Sequence, residues 1–146
     1  MKVAVCSDHG GFELKSRLIP FIEGLGHEVH DFGCYDESSV DYPDFAFPMA
    51  EAVARGDFDR GIAVCGTGIG VSICCNKVRG IRCALCGDVL SAELTRRHND
   101  SNVLAMGGRI IGAETGKAIT RVWLDTAFDG GRHLGRINKI AEYERE

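Results

Sequence analysis

The residues best suited to chemistry gather around one short segment, Cys65-Gly66-Thr67-Gly68-Ile69-Gly70. Glycine lets a backbone take positive φ and approach a ligand closely. Three glycines at alternate positions between a strand-like run and a helix-like run therefore bring amide N–H groups together, and the helix that follows adds its unpaired donors and the positive end of its dipole. Such a pocket suits a negative oxygen, on a phosphate or on a carbonyl becoming an enolate. The spacing is GxGxG rather than the GxGxxG of a dinucleotide fold, and no Gly-Lys-Ser/Thr follows, so neither nucleotide fingerprint fits. A tight turn with no ligand is the plain alternative.

Other reactive side chains have places around this loop. Cys65 ends a strand beside a helix start, where a thiol can be drawn toward thiolate and act as base or nucleophile; free cysteine is as often a small buried apolar residue. Asp8-His9 follows the first strand and falls on the same sheet edge, suited to orienting hydroxyls and moving protons; Asp8 could equally do no more than cap the helix at Phe12. His98 closes a helix, four residues after Leu94 and eight after Leu90, which puts it on an apolar stripe. Its place at a helix C-terminus favours a protonated ring, and so an acid. Arg132 and Arg136 lie one turn apart, a mild repulsion that a phosphate dianion would offset, or else an ordinary solvated face. Arg109, in Gly-Gly-Arg after the fifth strand, adds positive charge. Cys83 and Cys86 form a CxxC without a second pair, in a strand-like run that turns them to opposite faces, against a zinc site.

The elements that must position these groups alternate. Strand-like runs cover residues 2–6, 27–32, 61–65, 81–86 and 102–106; helix-like stretches cover 12–25, the second half of 43–55, the segment from the glycine loop to about 76, 88–98, 112–128 and 132–144. Pro20 suggests a kink in the first helix. Strands alternating with helices imply right-handed crossovers and a parallel sheet covered on both faces. Residues 1–146 read as one α/β domain, with ligands expected beyond the carboxyl ends of the strands.

Bulk properties narrow the function classes. Of 146 residues, 45% are hydrophobic and 26% charged, the balance of a globular domain. A net charge of −4 gives no nucleic-acid footprint, so an anionic ligand must be gripped locally. No apolar run reaches the ~18 residues of a membrane span. Seven cysteines without a secretion signal read as reduced thiols, hence a cytoplasmic protein.

Taken together, SDHGG at 7–11, DYP at 41–43, CGTGIG at 65–70, NK at 76–77, RRHNDSNVLAMGGR at 96–109 and GGRHLGR at 130–136 resemble the ribose-5-phosphate isomerase B family, which includes the galactose-6-phosphate isomerase subunits. The likeness runs in one unbroken order over nearly the whole chain. It implies a Rossmann-like three-layer α/β/α domain with a five-stranded parallel sheet, working as a homodimer whose active sites draw on both subunits. It further implies aldose–ketose isomerisation of a sugar phosphate through a cis-enediol, with no metal or cofactor.

By position, Cys65 resembles the general base. Gly66, Thr67, Gly68, Ile69 and Gly70 resemble the anion hole, His98 the group that opens the furanose ring, and Asp8 its partner. His9, Arg132 and Arg136 resemble the phosphate grip, and Tyr42, Asn99 and Arg109 line the site. Some members carry a glutamate one turn into the helix; here that position is Val71, leaving Cys65 without an obvious substitute. Alternatives are a six-carbon isomerase acting on allose or galactose 6-phosphate, a non-catalytic sugar-phosphate sensor, and a redox module at Cys83–Cys86.

Overall fold

The computed structural model describes all 146 residues. The sheet is built from β1 (Lys2–Ser7), β2 (Glu28–Asp31), β3 (Arg60–Cys65), β4 (Cys83–Leu85) and β5 (Val103–Gly107). All pairings are parallel and the spatial order is β2-β1-β3-β5-β4. The helices are α1 (Phe12–Gly24), α2 (Pro43–Ala54), α3 (Ile69–Asn76), α4 (Val89–Asn99), α5 (Ala113–Asp125) and α6 (Arg132–Glu144). The sequence order of the elements is the expected one, as are the three layers.

Residue size along the strands sorts the two faces. Val5, Ile62 and Leu104 form one cross-strand row, and Cys6, Ala63 and Ala105 form the next. Alternate residues of a strand point to opposite faces, so the bulky row meets α1 and α5 through Leu14, Leu18, Ile22, Ile119 and Trp123. The small row lets α2 and α3 come close, with Met49, Ala50, Val71 and Cys75 packed against it. Gly61 shows how close: a Cβ there would lie 2.5 Å from the Met49 sulfur. Cys83 joins this second core while Cys86 joins the first, so the CxxC is split across the sheet as its spacing implied.

Several local expectations are corrected. The fourth strand is only Cys83–Leu85, and Asn76 satisfies its outer edge at the first residue: Asn76 Oδ1 accepts from Cys83 N–H at 2.8 Å and Nδ2 donates to Cys83 O at 3.0 Å. Helix α2 is helical from Pro43 onward, since proline at the first position loses no hydrogen bond. Pro20, where the sequence suggests a kink, falls inside α1 with its ring on the exposed side. The Leu90–Leu94–His98 stripe of α4 is not its core face: Leu90 is 62% exposed, and the buried residues are Ala92, Thr95 and Arg96. Arg96 can be buried because Asp100 Oδ1, Ser101 O and Thr126 O accept from its guanidinium. No helix is long and apolar enough to cross a membrane.

Candidate active site

The chain leaves β1 toward β2 on one side and returns to β3 on the other, so a crevice opens between the carboxyl ends of β1 and β3. Three loops meet there, after β1, β3 and β5, and they pack backbone on backbone. Gly10 lies against the Gly66 amide, and a Cβ at Gly108 would sit 2.8 Å from the Gly10 carbonyl. Gly108 N–H donates to Cys65 O at 2.8 Å and Arg109 N–H to Gly66 O at 2.9 Å. With no side chains wedged between them, the loops hold their amides in fixed positions.

Cys65 is buried, and its sulfur accepts from Gly68 N–H at 3.2 Å. Gly68 adopts φ +80° and is the residue from which α3 starts. Thr67 is exposed at the loop tip, with Oγ1 accepting from Ile69 N–H at 3.2 Å. The Tyr42 ring covers Gly70 so closely that a Cβ there would lie 2.8 Å away. Arg109 lies over Gly66 from the other side, 3.3 Å from where a Cβ would stand.

Asp8 is buried and accepts from Gly11 N–H at 3.1 Å, which shapes the turn before α1; Gly11 is the N-cap and no side chain caps the helix, so the capping alternative raised by the sequence does not hold. Beside it, His9 Nδ1 accepts from Val40 N–H at 3.2 Å. His9 and Arg109 line a cleft of about 300 Å³ shared with Glu13, Arg17 and Glu37. Thr67 and Ile69 border an apolar hollow of about 330 Å³ with Leu85 and Ile110. Ile69, Leu85 and Ile110, all exposed, make an apolar apron beside the loop.

The remaining residues singled out by the sequence are not at this edge. Helix α4 runs antiparallel to the strands, so its C-terminus, with His98 and Asn99, lies at the amino ends of β4 and β5. Asn99 O there accepts from Arg82 Nε at 2.9 Å, just ahead of β4. The chain between α5 and α6 is tied to the same spot: Asp129 N–H donates to Arg97 O at 3.0 Å, and its carboxylate pairs with Arg97 at 3.2 Å. This docks the start of α6, and the rings of His98 and His133 stack 4.5 Å apart. Arg132 and Arg136 stand exposed on the first turns of α6.

His133 is the functional candidate that residue spacing missed; its only signal is its place between the two arginines. Desolvation, with His98, Arg132 and Arg136 nearby, pulls its pKa down. His98, Asp129 and His133 bring potential ligand atoms within 4.8 Å of one another. Yet near-parallel stacked rings send their in-plane lone pairs side by side instead of onto one point, and Asp129 is taken by Arg97. With Arg132 and Arg136 adjacent, this end suits an anion better than a cation.

One chain thus presents two separate clusters of reactive side chains, a thiol–amide–histidine cluster at the carboxyl edge of the sheet and a histidine–arginine cluster at the amino edge. Comparison with known proteins agrees with the resemblance read from the motifs. The family model described as Ribose/Galactose Isomerase matches residues 3–140. The chain is 44% identical to ribose-5-phosphate isomerase B of Escherichia coli, over 99% of this chain and 97% of that protein. A structure of ribose-5-phosphate isomerase B from Clostridium thermocellum superposes with a TM-score of 0.98 at 49% identity, covering 99% of this chain and 98% of that one. The ribose-5-phosphate isomerase B of Mycoplasma genitalium, solved with bound ribulose-5-phosphate, superposes at 0.95 with 39% identity, covering 99% and 97%. The chain belongs to the ribose/galactose isomerase family of sugar-phosphate isomerases, with the α/β fold of the type B ribose-5-phosphate isomerases.

Proposed function

We propose that this protein is a metal-independent ribose-5-phosphate isomerase that works as a homodimer, each active site joining the carboxyl-edge half of one subunit to the amino-edge half of its partner. The observation that carries the reading is the Cys65 sulfur at 3.2 Å from Gly68 N–H, at the root of a glycine loop flanked by Asp8, His9 and Arg109. Near-complete coverage by type B ribose-5-phosphate isomerases at 44–49% identity supports the substrate.

In the reaction, His98 of one subunit and Asp8 of the other exchange the protons that open the furanose ring. The Cys65 thiolate takes the proton from C2 of the open aldose. The C1 oxyanion of the resulting enediolate rests on the amides of residues 66–70, with Thr67 beside it. The thiol returns its proton to C1 while the O2 proton passes to O1, giving the 2-ketose with every atom accounted for. His9, Arg109 and the partner's Arg132 and Arg136 hold the phosphate, and Tyr42 and the partner's Asn99 border the sugar. Phosphate binding, remote from the reacting carbons, positions C1 and C2 at the sulfur. The apolar apron around the loop is the surface that dimerisation would bury.

The test is conversion of ribose 5-phosphate to ribulose 5-phosphate by the purified chain, in EDTA, with allose 6-phosphate in parallel. Rapid pentose conversion indifferent to chelator is expected; turnover of the hexose alone would move the substrate to six carbons. General base catalysis contributes roughly 10²–10⁴-fold, so Cys65→Ala should leave a folded protein that binds substrate and has lost turnover. Retention of more than about a tenth of the activity would remove Cys65 as base.

A further inference from the structure

Lys15 is fully buried in α1, and the isomerisation has no use for it. Its Nζ donates to Asp31 Oδ1 at 2.8 Å and to the Cys34 carbonyl. The same Asp31 oxygen accepts from Gly33 N–H at 2.8 Å. The ammonium also lies 5.5 Å from the centre of the Phe12 ring and 5.6 Å from that of Tyr35. Burying a lysine is costly unless its hydrogen bonds and charge are matched, and every partner here belongs to α1, the end of β2 or the root of residues 33–42.

That strap is tied down at its start. Cys34 N–H donates to Ser7 O at 2.7 Å, and the Cys34 thiol donates to Asp36 O at 3.3 Å. At its far end it does two things at the candidate site. Val40 N–H donates to His9 Nδ1 at 3.2 Å, and Tyr42 covers Gly70. A backbone amide can only donate, so Nδ1 carries no proton and the ring N–H sits on Nε2. His9 then faces its cleft as a hydrogen-bond donor of fixed position.

We propose that Lys15 is a positioning residue for His9: through the strap of residues 33–42 it holds Val40 N–H on His9 Nδ1, so that His9 offers Nε2–H to the phosphate. The inference rests on the reading of His9 as part of the phosphate grip. The positive charge of the grip then comes from the arginines, while His9 contributes a directed donor that reads where the phosphate oxygen lies.

Two variants test this with readouts that mere loss of stability would not move. Lys15→Met combined with Asp31→Asn removes the buried cation and its counter-charge together, leaving the Cys34 carbonyl as the one partner unpaired; Val40→Pro leaves Lys15 untouched and deletes the donor to His9. The ring nitrogens of His9 are followed by ¹⁵N-resolved NMR of the full-length protein, beside KM and kcat for ribose 5-phosphate. In the wild type, the Nε2–H tautomer alone is expected. In both variants the two tautomers should mix, and KM should rise by about twofold for an even mixture and toward about tenfold as the donor to the phosphate is lost, with kcat unchanged.

A folded variant of either kind in which His9 keeps the single Nε2–H tautomer overturns the proposal, as does a kcat that falls while KM stays constant. Should the wild type fail to turn over ribose 5-phosphate, the isomerase reading fails by itself. The tautomer comparison would still decide whether Lys15 and Val40 position His9.

Discussion

Gly68→Ala separates a loop that binds an anion from a loop that only turns the chain. Gly68 holds φ +80°, which costs an L-residue about 1–2 kcal/mol. An added Cβ would also stand 2.5 Å from Leu85 Cδ1 and 2.8 Å from the carbonyl carbon of Met106. Leu85 can swing away, but Met106 is central backbone of β5, so the loop must retreat by about 0.6 Å to reach the 3.4 Å at which ordinary contact begins. Backbone strain and overpacking together cost roughly 2–4 kcal/mol, which lowers Tm by about 6–12 °C in a chain of this length. The same retreat lengthens the bond from Gly68 N–H to the Cys65 sulfur, now 3.2 Å, and so weakens it. It also moves an amide assigned to the enediolate, so kcat should fall by roughly 10²–10³-fold.

Gly66→Ala is the control within the same loop. Its Cβ would meet only Arg109 Cδ and Nη1 at 3.3 Å, the flexible end of an exposed side chain. Tm should stay within about 2 °C, with KM raised as Arg109 is pushed aside and kcat much less affected. The assay is calorimetry beside steady-state kinetics for both variants. A folded Gly68→Ala enzyme with kcat within tenfold of wild type would refute the anion-hole reasoning, as would equal losses from the two substitutions.

Three further outcomes follow from the geometry. Mixing unfolded Cys65→Ala and Arg136→Ala chains and refolding them together, then assaying at substrate far below the KM of Arg136→Ala, should restore about a quarter of wild-type activity, because half of random dimers are hybrid and one of their two sites is whole; no recovery would exclude a shared site. Arg136→Ala alone, on an exposed helix face, should raise KM with Tm unchanged, and an unaltered KM would take Arg136 out of the phosphate grip. Asp88 caps α4, its carboxylate accepting from Ser91 N–H at 2.7 Å, and this bond holds its pKa below the ordinary 3.8. A lowered carboxylate pKa contributes stability above the unfolded value that disappears as pH falls through the folded one. The Tm gap between wild type and Asp88→Ala should therefore be open at pH 7 and close below about pH 3.8, a closure that scanning calorimetry across pH would detect.

Much of this was legible because each local signal repeats in the fold. The alternation of short apolar runs with amphipathic stretches gave the three layers, and the glycine run beside Cys65 marked the crevice before any strand order was known. The order itself was not legible: nothing local says that β5 inserts between β3 and β4, since parallel pairing is decided by the whole sheet. The inner face of α4 was misread because its buried residues, Thr95 and Arg96, are polar. Their burial depends on carbonyls at Ser101 and Thr126 that sequence cannot bring near. Lys15 was invisible for the same reason, its partners lying 16 and 19 residues away. His133 finds its stacking partner only because Arg97 and Asp129 dock the start of α6.

The separation of the two clusters also follows from elementary geometry. In a parallel sheet every crossover helix runs back against the strands, so residues that follow a strand collect at one edge and residues that end a helix collect at the other. Cys65, Asp8, His9 and Arg109 belong to the first class; His98 and Asn99, at the end of an eleven-residue helix, belong to the second. At 1.5 Å per residue that helix spans about 16 Å, farther than any rotamer reaches. A single chain cannot bring His98 to its own Cys65, however its loops move. Chemistry that needs both must therefore come from two copies, each lending the amino edge of its sheet to the carboxyl edge of the other.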